Sequence, residues 1–330
     1  MPGGGALGAR RERCRSSRRR WPVTRGGRPA AGGRRVPARR RPARGSGGRA
    51  GESGRVVGGR GRPTGPDRRP RGGGTREPGL GGDQVEGRRA VRELLAVGRR
   101  PVRRLWLAEG LDPSPQLDEI EALASRARVR VESVPRARLD AEARTEAPQG
   151  VLAMARPIEP VALEELCTPA GSVAPFLLVV CGVTDPHNLG SLLRSAECAG
   201  VTGVVLPRHR TARLSPTVAK VAAGALEHLA FAAVGGVPTA LRALSNAGVW
   251  TVGLAGESPR SLYGLAIADD PVALVVGGEE QGLPALVRRR CDDVVAIPQS
   301  GSVPSLNVGV AGAVACFEVA RRRAEARDRS

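Results

Sequence analysis

The sequence predicts an α/β fold with a mostly parallel sheet over residues 175–330, and three observations carry that expectation. Strand-like and helix-like stretches alternate along it, which is βαβ order. Its strand candidates at 176–180 and 272–276 contain no polar residue, as befits strands covered by helices on both faces. Loops rich in Gly, Pro and Ser stand where strands end and helices begin, the place where open α/β sheets bind small molecules.

The elements follow in order. Residues 176–180 form a first central strand, and 189–199 a helix with Leu192, Leu193 and Ala196 inward, stopped by Gly200. A strand at 203–206 precedes a helix capped by Ser215-Pro216 and running to about residue 226. Further strands are expected at 228–234, 249–254, 272–276 and 293–297. Helices are expected at 238–246, 283–290 and from Leu306 to about residue 321. Such connections are normally right-handed and unknotted.

Residues 83–156 read as a separate small α/β domain. Ala90, Val91, Leu94 and Leu95 recur at helical spacing within 88–97, and Leu117, Ile120, Leu123 and Ala124 do so within 116–126, where Ser114-Pro115 supplies the cap. Strands are expected at 102–107, 129–131 and 150–154. No pair of acids, Cys or His has catalytic spacing, so this domain is expected to recognise or to pack rather than to react. Residues 157–174, with Pro157, Pro160, Pro169 and Gly171 around a short helix at 161–166, read as a linker.

Charge sets the N-terminal stretch apart. Residues 1–82 hold 23 Arg against four acids, a net +19 of the chain's +20, while residues 83–330 hold 29 basic residues against 28 acids, a net +1. With almost no aliphatic content the first 82 residues cannot offset their ordering entropy, and they are expected to be a disordered basic tail. Such a tail is either an electrostatic arm for RNA or a variable extension. Basicity therefore identifies no partner for the folded part. None of the six cysteines forms a C-x-x-C pair and there are three His, so no metal site is expected. The sequence shows no signal peptide and no run of 18 apolar residues, and a cytoplasmic protein with no membrane partner is the expectation.

Chemistry concentrates in three loops, at 183–190, 277–283 and 297–308, and three such loops point to one composite site. The glycine loop at 277–282 fits neither phosphate template, since no Gly-Lys-Ser/Thr follows and the spacing is not G-x-G-x-x-G. Its adjacent acids suit a cationic or zwitterionic ligand. Asn188 is placed to cap the helix at 189–199. Arg194 interrupts an apolar helix; on spacing alone it is a solvated residue pairing with Glu197 at i,i+3. Ser305 and Asn307 either bond a ligand or cap the last helix. Gly309 and Gly312 suggest close packing, because Gly costs about 1 kcal/mol in a helix.

Together the motifs resemble the SpoU (TrmH-like) 2′-O-ribose RNA methyltransferases of the SPOUT class. They stand as Asp185-Pro186-His187-Asn188-Leu189-Gly190 through Arg194 to Glu197, as Val276-Gly277-Gly278-Glu279-Glu280-Gln281-Gly282-Leu283, and as Ile297-Pro298-Gln299-Ser300-Gly301-Ser302-Val303-Pro304-Ser305-Leu306-Asn307-Val308. The stretch 220–227 resembles the family's intermediate segment, and 85–156 its L30e-like substrate domain of the ribosomal RNA branch. Pro304, Gln299, Gly309 and the second acid Glu280 depart from the family's usual residues.

The resemblance implies a deep C-terminal trefoil knot, against the unknotted default, and an obligate homodimer. It implies S-adenosyl-L-methionine held by backbone around Gly277, Gly278, Ile297 and Leu306. Arg194 would act on the ribose 2′-hydroxyl with Asn188 fixing the loop, and Glu279, Ser305 and Asn307 would complete the site without a metal. Arg is a poor base at its ordinary pKa, so that role needs either a perturbed pKa or electrostatic stabilisation of the alkoxide. The implied substrate is RNA, a guanosine of 23S ribosomal RNA first. Transfer RNA, an adenosine target of the drug-resistance kind, and a non-catalytic ribosome-assembly factor are the alternatives.

Overall fold

A computed structural model describes residues 79–266, 270–279, 281–303 and 305–329. The tail reading for residues 1–78 and the departures Glu280 and Pro304 lie outside the described residues. Residues 79–82, assigned by composition to the tail, belong instead to the folded part. Leu80 N–H donates to Ile158 O at 2.9 Å and Gly82 N–H to Leu214 O at 2.6 Å. Backbone bonds of this kind need no aliphatic side chain, so composition was silent about them.

The first sheet is built from β1 (Gln84–Glu86), α1 (Arg88–Val97), β2 (Val102–Ala108), α2 (Pro115–Arg126), β3 (Val131–Val134), α3 (Arg136–Glu142) and β4 (Val151–Ala155). Its strand order is β1-β4-β2-β3, with β2 and β3 parallel and the other pairs antiparallel. The predicted faces of α1 and α2 are buried, and Ser114 caps α2 by accepting the Leu117 N–H. The strand expected at 129–131 begins at Val131 instead. Arg128 takes a left-handed φ of 55° and Val129 N–H closes onto Ala124 O, so those residues finish the helix. Strand β1 and helix α3 were not foreseen; three residues, and seven with one buried leucine, carry too little periodicity.

The second sheet follows: α4 (Leu163–Leu166), β5 (Phe176–Cys181), α5 (Pro186–Cys198), β6 (Gly203–Pro207), α6 (Pro216–Val221), β7 (Ala230–Val234), α7 (Val237–Asn246), β8 (Trp250–Leu254), β9 (Val272–Gly277), α8 (Ala285–Arg288), β10 (Asp293–Val295) and α9 (Val308–Arg327). Six strands run in the order β10-β8-β9-β5-β6-β7, all parallel. Alternation along β5 decides the layers. Leu178 and Val180 join Leu192, Cys316 and Val319 of α5 and α9 on one face, and Leu177 and Val179 join Leu241 and Val287 of α7 and α8 on the other.

The helix expected to reach residue 226 stops at Val221. Ala223 and Gly224 turn left-handed, with φ of 52° and 100°, before a 3-10 turn at Ala225–Glu227. A Cβ on Gly224 would overlap Glu93 of α1, so this break lets the two sheets approach. Among the described residues no helix is long and apolar enough to cross a membrane.

The junction between the sheets is held by charge. Arg100 donates through Nε to Glu227 Oε2 at 3.0 Å and through Nη2 to Oε1 at 2.5 Å, both side chains being buried. Its Nη1 reaches Gly82 O at 2.7 Å and Arg156 O at 2.5 Å. Arg99 Nη1 donates to the Glu227 and Leu229 carbonyls at 3.0 Å. A fork-on-fork pair with its remaining donors satisfied is the geometry that offsets burial of two charges. Arg100→Met would strand the Glu227 carboxylate in that junction, and removing one partner of a buried pair costs about 3–5 kcal/mol. Urea unfolding is expected to show a loss of that size, and an unchanged midpoint would refute it.

Candidate active site

The parallel sheet sends the loops after β5, β8, β9 and β10 to one edge, and those four strands are neighbours. After β5 the chain turns at Asp185, whose Oδ2 accepts Asn188 N–H at 2.8 Å, with Pro186 in the first turn of α5. Asp185 is therefore the cap, correcting the expectation that Asn188 would be. Capping by Asp185 leaves the Asn188 side chain free to reach outward. Asn188 Nδ2 donates to Glu279 Oε1 at 2.6 Å. From the third loop, Asn307 Nδ2 donates to the same oxygen at 2.9 Å and to Asn188 Oδ1 at 2.8 Å. Asn307 Oδ1 meanwhile accepts Gly309 N–H at 2.9 Å and Val310 N–H at 3.3 Å, capping α9. The choice of cap between Ser305 and Asn307 falls to Asn307. One residue from each of three loops thus meets in a single network, and no cation pairs with Glu279 among the described residues.

Glycines permit this meeting. A Cβ on Gly277 would overlap the Gly282 backbone, and one on Gly278 the Gly182 carbonyl. Gly278 O then accepts Gly282 N–H at 2.9 Å. Gly190 and Gly312 do the same for the helices beneath, where a Cβ would strike Val221 and Leu192 respectively.

At the same sheet edge lies a cleft of about 380 Å³ between the loops that follow β8 and β10. Ile297 lines it with Pro298 and Gly301, and Gly256, Ser258 and Ser261 form the facing wall. Of the residues expected around a cofactor, Ile297 lines this cleft; Gly277, Gly278 and Leu306 lie outside its lining. The wall at 256–261 was missed in the sequence. Its signal was a glycine soon after a strand, the rule already applied to the other three loops. The Ser261 and Ala296 backbones pair there, with Leu262 N–H on Ala296 O and Ala296 N–H on Arg260 O at 2.8 Å each.

Arg194 stands apart, six residues beyond Asn188 on α5 and so about 9 Å further along the axis. It is exposed, and the ion pair with Glu197 expected from spacing is absent from the described contacts. It lines a second cleft of about 580 Å³ with Arg88, Arg89 and Lys220. Ser305 and Leu306 are exposed at the loop tip. Burial pushes the thiols of Cys316 and Cys291 up to about 12 and raises that of Cys181, so these cysteines are neutral packing groups at pH 7. Among the described residues no group of three or more His, Cys, Asp or Glu could hold a metal ion.

Comparison with known proteins decides the family. The profile of the SpoU rRNA methylase family matches residues 175–317, and that of RNA 2′-O ribose methyltransferase substrate binding matches 84–161. The chain belongs to the SpoU family of RNA 2′-O-ribose methyltransferases. A 23S rRNA (guanosine-2′-O-)-methyltransferase RlmB of Pseudomonas putida is 39% identical over 244 residues, 73% of this chain and 97% of the relative. The RlmB of Escherichia coli K12 is 37% identical over 242 residues, 73% and 99% of the two chains. Among solved structures, an RNA 2′-O ribose methyltransferase superposes with a TM-score of 0.60 at 26% identity, covering 72% of this chain and 88% of its own. The SpoU methyltransferase AviRb of Streptomyces viridochromogenes, in complex with AdoMet, shares the fold with a TM-score of 0.61 at 24% identity, covering 73% and 90%.

Asn307 is both cap and crosslink in this SpoU chain. Asn307→Ala is expected to cost about 1 kcal/mol through the cap, lowering the melting temperature by about 2–4 °C in a body of this size. Calorimetry showing no shift would contradict the capping geometry.

Proposed function

We propose that this protein transfers a methyl group from S-adenosylmethionine to the ribose 2′-oxygen of a guanosine in 23S ribosomal RNA, in the cytoplasm. The observation that carries the choice of RNA is end-to-end likeness: relatives named for that reaction align over 97–99% of their own length, substrate domain included.

The residues fit the cofactor. Apart from Arg260, which pairs with Asp293, and Gln299, the cleft at 256–261 and 296–303 is lined by small or apolar residues, which leaves room for a nucleoside held by backbone N–H and C=O groups. The Glu279 carboxylate at the same sheet edge, held by two amides and paired with no cation among the described residues, suits a cationic methyl donor. Ile297 and the backbone of these two loops would hold the cofactor, with Gly277 and Gly278 setting the loop that carries Glu279. When bound, S-adenosylmethionine supplies an already activated methyl group on a sulfonium. What remains for the chain is alignment and the proton. Asn188, Glu279 and Asn307 lock the three loops, with Ser305 and Leu306 at the rim. Among the described residues Arg194 has no acid partner, and its charge stabilises the negative charge that develops on the 2′-oxygen as its proton passes to solvent.

Two further features belong to this reading. Val310 and Phe317 are exposed on α9 seven residues apart, and Leu306 is exposed just before its cap; Ser191, Arg194 and Cys198 are exposed on α5, which packs against α9. Such exposed apolar residues suit a second copy of the chain. The Ser261–Ala296 pairing supports a trefoil knot, with the chain after β10 passing inside the β8–β9 connection, and the mixed sheet of 84–155 supports an L30e-like substrate domain.

Labelled S-adenosylmethionine with 23S RNA, 16S RNA and transfer RNA tests the assignment. Label is expected in 23S RNA alone, and Arg194→Ala should lower the rate by about 10²–10³ fold, the cost of losing one group that stabilises an oxyanion, while cofactor binding persists. Label in no RNA despite bound cofactor would favour a non-catalytic assembly factor. Phe317→Glu is expected to turn a sedimenting dimer into a monomer; a monomeric wild type would refute the dimer.

A further inference from the structure

The second cleft, of about 580 Å³, lies where the two sheets meet. Arg88 and Arg89 open α1 on one side, and Arg194 of α5 and Lys220 of α6 face them from the other. Four cations therefore share one concavity. Among the described residues the one acid in its lining is Glu86, and Glu86 is fully buried and already satisfied. Its carboxylate accepts from Gln84 Nε2 at 2.9 Å, from Arg144 N–H at 2.8 Å, from Thr145 N–H at 3.1 Å and from the Thr145 hydroxyl.

The cations differ in how they are held. Arg88 is pinned by neutral acceptors, its Nη1 on Ser114 Oγ at 3.1 Å and its Nε on Gln149 O at 3.5 Å. Among the described residues Lys220 Nζ reaches Thr145 Oγ1 alone, at 3.4 Å. For Arg89 and Arg194 no hydrogen bond or ion pair occurs among the described residues. Elsewhere in the fold arginines find acids, as in Arg92 with Glu119, Arg260 with Asp293 and Arg321 with Glu318. Residues 83–330 carry a net charge of only +1, so this cleft is a local excess of positive charge in a near-neutral body. Low-dielectric walls around charges of one sign focus the field on whatever enters.

We infer that this cleft seats the phosphodiester beside the target ribose, with Arg89 and Lys220 as positioning residues contributed by the two domains of one chain. The inference rests on the methyltransferase reading above, which puts Arg194 at the 2′-hydroxyl. In RNA the carbon bearing that hydroxyl adjoins the carbon bearing the 3′-phosphodiester. A group holding the 2′-oxygen therefore has a phosphate as its near neighbour, and the cations around Arg194 meet it. The buried Arg100–Glu227 pair gains a purpose on this view. It holds α1 at a set distance from α5 and α6, so the phosphate is gripped from both domains at once.

The test uses the full chain with Arg89→Glu, Arg89→Lys and, as a control of equal charge change, Arg136→Glu; Arg136 pairs with Asp140 at 3.8 Å on the surface of α3. Methyl transfer to 23S RNA and filter binding of the same RNA across a salt series are measured for each. Arg89→Glu is expected to raise KM about tenfold with kcat within about twofold, and to reduce the slope of log affinity against log salt by about 0.7, one single-strand phosphate contact. Arg89→Lys should recover most of both, and Arg136→Glu should match wild type. Arg89→Glu that matches Arg136→Glu in KM and in salt slope would overturn the inference while leaving the enzyme assignment intact. A wild type inactive on 23S RNA would sink the assignment, and the salt slopes would still decide the cleft.

Discussion

One carboxylate oxygen organises the candidate site. Glu279 Oε1 accepts from Asn188 and from Asn307, and through those amides the loops after β5, β9 and β10 are tied at one point. The tie is available because all six strands run parallel, so their C-terminal ends share an edge. It is close because glycines at 277 and 278 carry no Cβ to strike the backbone at 282 and 182. Asn307 links the network to mechanics by capping the 20-residue α9, which packs along α5 through Gly312. Displacing any of the three side chains would alter the loops and the helix start together.

A second constraint operates at the domain junction. Arg100 and Glu227 are buried as a bidentate pair whose other donors reach backbone carbonyls, the condition under which buried charges break even. Glu227 belongs to the segment 220–227, whose helix breaks at Ala223 and Gly224 to admit α1. The same segment supplies Lys220 to the positive cleft. Domain docking and the shape of the RNA-facing cleft are therefore properties of one stretch of chain.

Arg194 illustrates how far local spacing reaches. From the helix alone a solvated pair with Glu197 was the plainer reading, and the structure leaves Arg194 without that pair, facing the other domain. Nothing within α5 could have said so, because the partners in its cleft come from residues 88, 89 and 220. The wall at 256–261 was hidden differently. Its charged residues, Glu257 and Arg260, pair with Arg288 and Asp293; the others are small, and their use depends on backbone groups that every sequence carries.

Periodicity and capping chemistry were legible directly. The apolar faces of α1, α2 and α5, the uninterrupted strands β5 and β9, and the three loops at strand ends are local patterns repeated at fixed spacing, and the chain's own residues determined them. Residues that lacked periodicity escaped: β1 and α3 are too short, and residues 79–82 join the fold through backbone alone. Tertiary structure decided which loops are neighbours, since that follows from the strand order β10-β8-β9-β5-β6-β7 and not from distance along the chain. It also decided the break after Val221 and the Arg100–Glu227 pair, which depend on atoms brought close only when sheets and helices pack; the Asp185 cap is local, three residues from its donor. Sequence specifies which faces must be buried; packing specifies against what.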